Sequence, residues 1–419
     1  MKSKIPEMKM SSQDWGWVAI NIGMGIGAGI VFLPIQAGIV GLWTFLLAII
    51  VAYPALYQFQ RLFINTLVES KQSTDYPATI SEYLGTKWGT GLGLIYFVML
   101  VIWLFVYSET VTNDSASYIH TAGMTEGLLS TNVFYGLFVV TLLVFLAFVS
   151  KTLLFNLSKL LVIVILSSLV VLSVIIIPYW DVDNIKEIIS VRKMILQAVI
   201  TLPFAMTSIL FLQSLSPMVI YVRSEHQDIA IARRKTVQIM NWSFGILGII
   251  VFFFAFSCTM SITSQEAYMA LAANTSFLAI MVKNVPGAIV PAMGVIIDIC
   301  AVVTSFFAVL LGMHEACVGL YMNLAAKDKP RENINMKRLS AGVIAFIILL
   351  GWGATVVDFP ILYFTSICSP IFAVIGCFIP VVLIYRVDSL ARYRGLQAWM
   401  VVVTGALLVI SPFLALIDK

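Results

Sequence analysis

Residues 21–34 read NIGMGIGAGIVFLP, placing Gly23, Gly25, Gly27 and Gly29 at alternate positions in an apolar segment running from about Trp15 to Ile35. The segment is long enough to cross a bilayer. Each glycine inside a helix costs roughly 1 kcal/mol relative to alanine, so four of them leave that turn easily unwound, with backbone N–H and C=O groups exposed. Within hydrocarbon such groups need partners, and non-helical backbone is tolerated where it is buried in protein or lines a wet cavity. The pattern therefore predicts a broken first span facing a polar solute. The same residues also satisfy a small-residue packing face, of which Gly25-x-x-x-Gly29 is an instance.

The whole chain fits that setting. It has 419 residues, is 60% hydrophobic and 11% charged, and has a mean hydropathy of +1.00, which excludes an ordinary soluble domain. No cleavable signal pattern precedes the first span, so the N-terminus is expected to be retained. The five cysteines lie in or beside apolar runs without C-x-x-C spacing and read as core residues. No phosphate-binding loop, H-E-x-x-H or G-x-S-x-G occurs, and the net charge of +4 calls for no nucleic acid. No cofactor is expected, and no enzymatic activity.

Windows of about 20 apolar residues give about eleven spans, near 15–35, 38–65, 91–118, 132–149, 152–178, 195–221, 236–261, 287–323, 339–357, 361–385 and 397–416. With the N-terminus in the cytoplasm, roughly 20 of the 25 basic residues fall in cytoplasmic loops, the outside keeping Lys186, Arg192, Lys193, Lys283 and Lys419. This alternation places the C-terminus outside.

An odd count suits two inverted halves of five helices plus one. The expected organisation is a tail over 1–14, a first repeat over 15–178, a second over 195–385 and an extra helix over 397–416. Corresponding helices of inverted repeats break in corresponding places, and span six carries Gln213-Ser214-Leu215-Ser216-Pro217. Pro217 removes the hydrogen bond to the Gln213 carbonyl and disfavours helix at Ser216. Span one frees donors; span six frees acceptors.

A zwitterionic amino acid presents a carboxylate and an ammonium. A half-helix N-terminus at Gly27, Ala28 and Gly29 suits the first, and carbonyls around Phe211, Gln213 and Ser214 suit the second. Gly25, Ser216, Tyr107 and Ser108 complete the candidate lining. For ion coupling the candidates are Asp298, Thr304, Ser305 and Glu315 in span eight and Lys159 in span five, since intramembrane ionisable groups default to function. Each has a plainer reading: Thr304 and Ser305 can bond carbonyls of their own helix, Lys159 can snorkel, and Glu315 can be interfacial.

On G-x-G-A-G-x-x-F-L-P in span one, L-S-P in span six, IPYW after span five, FSCTMSIT after span seven and LGMHEACVGL in span eight, the chain resembles the bacterial hydroxy/aromatic amino acid permeases. Within that family it is most similar to the serine/threonine proton symporters. The resemblance implies the amino acid/polyamine/organocation superfamily fold and proton-coupled uptake across the bacterial inner membrane. Two positions depart from it: Leu215 stands where the serine permeases carry a histidine, and Thr304 where they carry a lysine. A small neutral hydroxy amino acid such as serine or threonine is thus the expected substrate, with H⁺ the coupling ion and Na⁺ the alternative at Thr304 and Ser305. Aromatic amino acid transport and a transporter-derived amino acid sensor are the rival readings.

Overall fold

The computed structural model describes residues 9–27, 29–71, 73–185, 190–272, 289–327, 331–357 and 368–417. Among them the regular structure is helical. In chain order the helices are α1 (Ser12–Ile26), α2 (Gly29–Val40), α3 (Leu42–Val68), α4 (Tyr76–Leu84), α5 (Thr86–Thr121), α6 (Val133–Val149), α7 (Lys151–Ile175) and α8 (Val191–Thr207). They continue as α9 (Leu212–Glu225), α10 (Ile229–Ser261), α11 (Ser264–Ala272), α12 (Ile289–Leu324), α13 (Met336–Val357), α14 (Cys368–Arg386) and α15 (Leu396–Ile417). Eight of these are long and apolar enough to cross a membrane singly, and Val133–Val149 is a shorter apolar helix. The first and sixth spans are each made of two half-helices, α1 with α2 and α8 with α9. Together these account for the eleven predicted spans, and the chain is a multi-pass membrane protein.

Burial separates inner helices from outer ones. From Gly16 to Ile26 every residue of α1 is buried, the signature of a helix enclosed on all sides, and it packs against α7, α10 and α12. In α13 the buried residues Val343, Ile347, Gly351 and Ala354 form one stripe at helical spacing, so its remaining surface is left for lipid.

Basic residues gather at one end, where they fasten the inner helices. Ser11 and Asp14 form a capping box at the start of α1, and Asp14 pairs with buried Lys235 of α10 at 2.7 Å. Lys235 Nζ also donates to the Lys9 carbonyl, and Tyr221 of α9 donates to Gln13. Glu69 at the end of α3 is held by Arg392 and by Tyr393 Oη, and Arg331 pairs with Asp75 ahead of α4 at 3.0 Å. At the opposite end α11 packs on α2, with Ser264 Oγ donating to the Gly38 carbonyl at 3.1 Å.

Three features differ from the sequence expectation. Span six breaks at Ser208–Phe211, ahead of Gln213–Pro217, because Met206 O takes the N–H groups of both Ile209 and Leu210 while Phe211 N–H is drawn off to Gln60 Oε1 of α3. Pro217 lies inside α9, where its cost is confined to one missing bond. The amphipathic helix α4, too short to span, was not anticipated, nor was the π-helical stretch Ala373–Phe378 within α14.

Candidate functional site

The break in the first span falls at Gly27, with φ +21 and ψ −149, and its N–H closes the last bond of α1 on Gly23 O at 3.2 Å. A side chain there would meet Tyr107 Oη of α5 at 2.6 Å and Ser305 Oγ of α12 at 2.9 Å from its Cβ. Bare backbone at Gly27 is what lets two hydroxyls approach the break. Ser305 Oγ donates to Gly23 O at 2.9 Å, so α12 takes up a carbonyl of the terminating α1. Beside it Thr304 packs onto Gly23 while its hydroxyl donates to Cys300 O in its own helix at 2.7 Å.

The second break is joined to the first by Asn21. This residue, fully buried, accepts from Ser214 Oγ of α9 at 2.7 Å and reaches Ser243 Oγ of α10 at 3.3 Å with its amide. Ser214 also turns back on the Phe211 carbonyl through its N–H at 3.1 Å, so that carbonyl, expected to be open, is already engaged. Gln213 O, denied a partner by Pro217, instead lies 2.7 Å from where a Cβ of Gly312 would stand. Phe211, Gln213, Ser214, Thr304 and Ser305 are all buried, so the region between the breaks is closed off from solvent.

The remaining candidates scatter along the membrane normal. Gly25 is turned away from the break onto Leu247 of α10 and serves packing; Gly29 opens α2. Ala28 lies outside the described residues. Ser108 faces Gly351 of α13 rather than the break. Lys159 donates to Ser12 Oγ at 3.0 Å, at the basic end. Asp298 accepts from Tyr118 Oη of α5, towards the opposite end, beside Asp114. Glu315 and Ser216 meet each other at 2.9 Å, on the basic side of the breaks.

Sequence reasoning missed Asn21, Gln60 and Tyr76. For the first two a signal existed, since an amide in an apolar span is costly unless partnered. For Tyr76 none did, because it contributes through its backbone N–H.

No family model matches the chain. Among curated proteins it is 50% identical over 411 residues to a serine transporter of Escherichia coli O157:H7, covering 97% of this chain and 93% of that protein. It is 49% identical over the same lengths to a probable serine transporter of Escherichia coli strain K12. Among solved structures it superposes on MhsT in complex with L-phenylalanine with a TM-score of 0.55 at 14% identity, covering 96% of this chain and 97% of that one. A nucleobase-cation-symport-1 family transporter, in a closed conformation with bromovinylhydantoin bound, gives 0.60 at 11% identity over 97% and 90%. These two share the fold, and the curated relatives, both named as transporters, make the chain a transporter rather than an enzyme. About half-identical to the two Escherichia coli proteins over 93% of their length, the chain belongs to the serine transporter family, within the hydroxy/aromatic amino acid permeases.

Proposed function

We propose that the chain imports serine, or a neutral amino acid of similar size, by proton symport with alternating access. The observation that carries this is the meeting of two broken inner helices, tied by Asn21 and Ser214, at the hydroxyls of Tyr107 and Ser305. The first-turn N–H groups of α2 have no partners within their own helix, and a substrate carboxylate is the group they suit. Gln213 O, whose usual helical donor is replaced by Pro217, suits the ammonium, and the Tyr107 hydroxyl stands beside the break where a small substrate hydroxyl would sit. The names of both curated relatives support serine. The basic end is taken as cytoplasmic, in a bacterial inner membrane, which gives a cytoplasmic N-terminus and a periplasmic C-terminus.

A second reading of the ion is favoured by one contact. Ser305 Oγ and Gly23 O lie together at 2.9 Å with Thr304 alongside, an all-oxygen corner suited to Na⁺. Proteoliposomes decide between the two: labelled serine should accumulate under an imposed pH gradient without sodium, and unlabelled serine should compete better than phenylalanine. Accumulation that needs a sodium gradient would give the ion to the Thr304–Ser305 corner. Serine binding without counterflow would make the protein a sensor.

A further inference from the structure

Ten residues beyond Ser305, about 15 Å along α12 towards the basic end, a carboxylate sits inside the helix packing. Glu315 is 8% exposed. Its Oε1 accepts from the backbone N–H of Tyr76, the first residue of α4, and from Ser216 Oγ of α9 at 2.9 Å. Its Oε2 has no hydrogen-bond partner among the described residues. One side chain thus holds three elements together while half of its own acceptor capacity goes unused.

The groups facing it do not neutralise it. Ahead of α4 stands Asp75, which is occupied by Arg331 at 3.0 Å; from α4 and α5 come Tyr76 and Tyr96, whose buried hydroxyls have no partner among the described residues. On its own helix His314 is engaged with Ser340 of α13 at 2.8 Å, and Lys151 of α7 lies over the Tyr221 ring. No cation among the described residues lies within ion-pair distance of Glu315. An ionised carboxylate buried with one bare oxygen and no counter-ion is unfavourable, and a proton on that oxygen removes the penalty.

A way out for that proton lies alongside. Glu315, His314, Thr74, Arg331 and Ser340 line a cavity of about 280 Å³ that extends to exposed Lys151. The link to substrate runs through α9, which carries Ser216 on Glu315 and, two residues earlier, Ser214 on Asn21.

We propose that Glu315 is the residue that carries the coupled proton. Resting on the proton-symport reading above, the step is simple: the Oε2–H bond breaks, the proton passes to water in the cavity, and the carboxylate left behind is held by Tyr76 N–H and the Ser216 hydroxyl. Recharging comes from the other face, with substrate.

The test uses the full chain in proteoliposomes. Glu315→Gln should keep serine counterflow within about threefold while accumulation driven by a pH gradient falls ~10-fold or more, and serine binding should lose its pH dependence. Glu315→Asp should recover part of the accumulation. Glu315→Gln accumulating serine like the wild type, or keeping the pH dependence of binding, overturns the proposal. If Glu315→Gln does not reconstitute, Ser216→Ala stands in: losing a donor to the carboxylate should shift the midpoint of pH-dependent binding by ~0.5 unit or more, and an unmoved midpoint overturns it equally. Failure of the underlying reading looks different, because then the wild type itself would accumulate serine with sodium and ignore the pH gradient.

Discussion

At Gly27 a positive φ and the nearness of Tyr107 and Ser305 act together, so a substitution there is strained in backbone and blocked in space. Gly27→Val is expected to insert and fold but to lose serine binding, read by scintillation proximity with labelled serine; normal affinity in a well-folded variant would return this glycine to a packing role. Gly25→Val should do the reverse, lowering thermal stability by pressing on Leu247 while a folded fraction still binds. The glycine run was legible in the sequence as a break or a packing face. It proves to be both, divided among residues: Gly23 and Gly25 let Thr304 and Leu247 come close, and Gly27 makes the break. Sequence could not assign these shares, because they depend on which neighbour each helix face meets. Tyr107→Phe tests the hydroxyl alone: about 1 kcal/mol of binding, or some fivefold in Kd, should go with one neutral hydrogen bond.

Among elements, α1 is held at its basic end by a set of contacts that must be released if that end is to open. Asp14 and Lys235 are both buried and 2.7 Å apart, and removing one partner strands the other charge. Lys235→Ala should therefore cost about 3–5 kcal/mol, while Asp14→Asn with Lys235→Ala should cost less than the sum of the two single changes. Thermal unfolding of the four proteins measures the coupling, and strict additivity would sink the idea of a latch. The eleven spans were legible here because an apolar run of sufficient length has one outcome in a bilayer. The break in span six was legible as to helix and not as to residue, since Gln60 of α3 helps set it from 151 positions away. Helix α4 escaped notice for a related reason: its docking on α12 depends on Glu315, Asp75 and Arg331, which the sequence scatters over more than 250 positions.

At the scale of the whole molecule, the basic residues and the closed region between the breaks together make a claim about direction. The Asp14, Glu69 and Asp75 ion pairs all lie at the end where Arg331, Arg392 and Lys235 gather, and exposed Met124 lies at the other. If the positive end faces the cytoplasm, single cysteines introduced at Met124 and at Arg331 should label from opposite sides. In intact cells a membrane-impermeant maleimide should reach Met124→Cys at once and Arg331→Cys only after lysis. The native cysteines add little background, four of the five being buried and Cys317 half-buried. Labelling of both positions in intact cells would contradict the span count as well as the orientation, because an odd number of crossings separates the two residues: α6, α7, the α8–α9 pair, α10 and α12. The same pair reports on the transport cycle. Saturating serine should leave labelling at Met124→Cys unchanged, since this loop lies outside the moving inner helices, while Arg331→Cys in permeabilised cells should change rate with serine as the junction of α4 with Glu315 parts and re-forms.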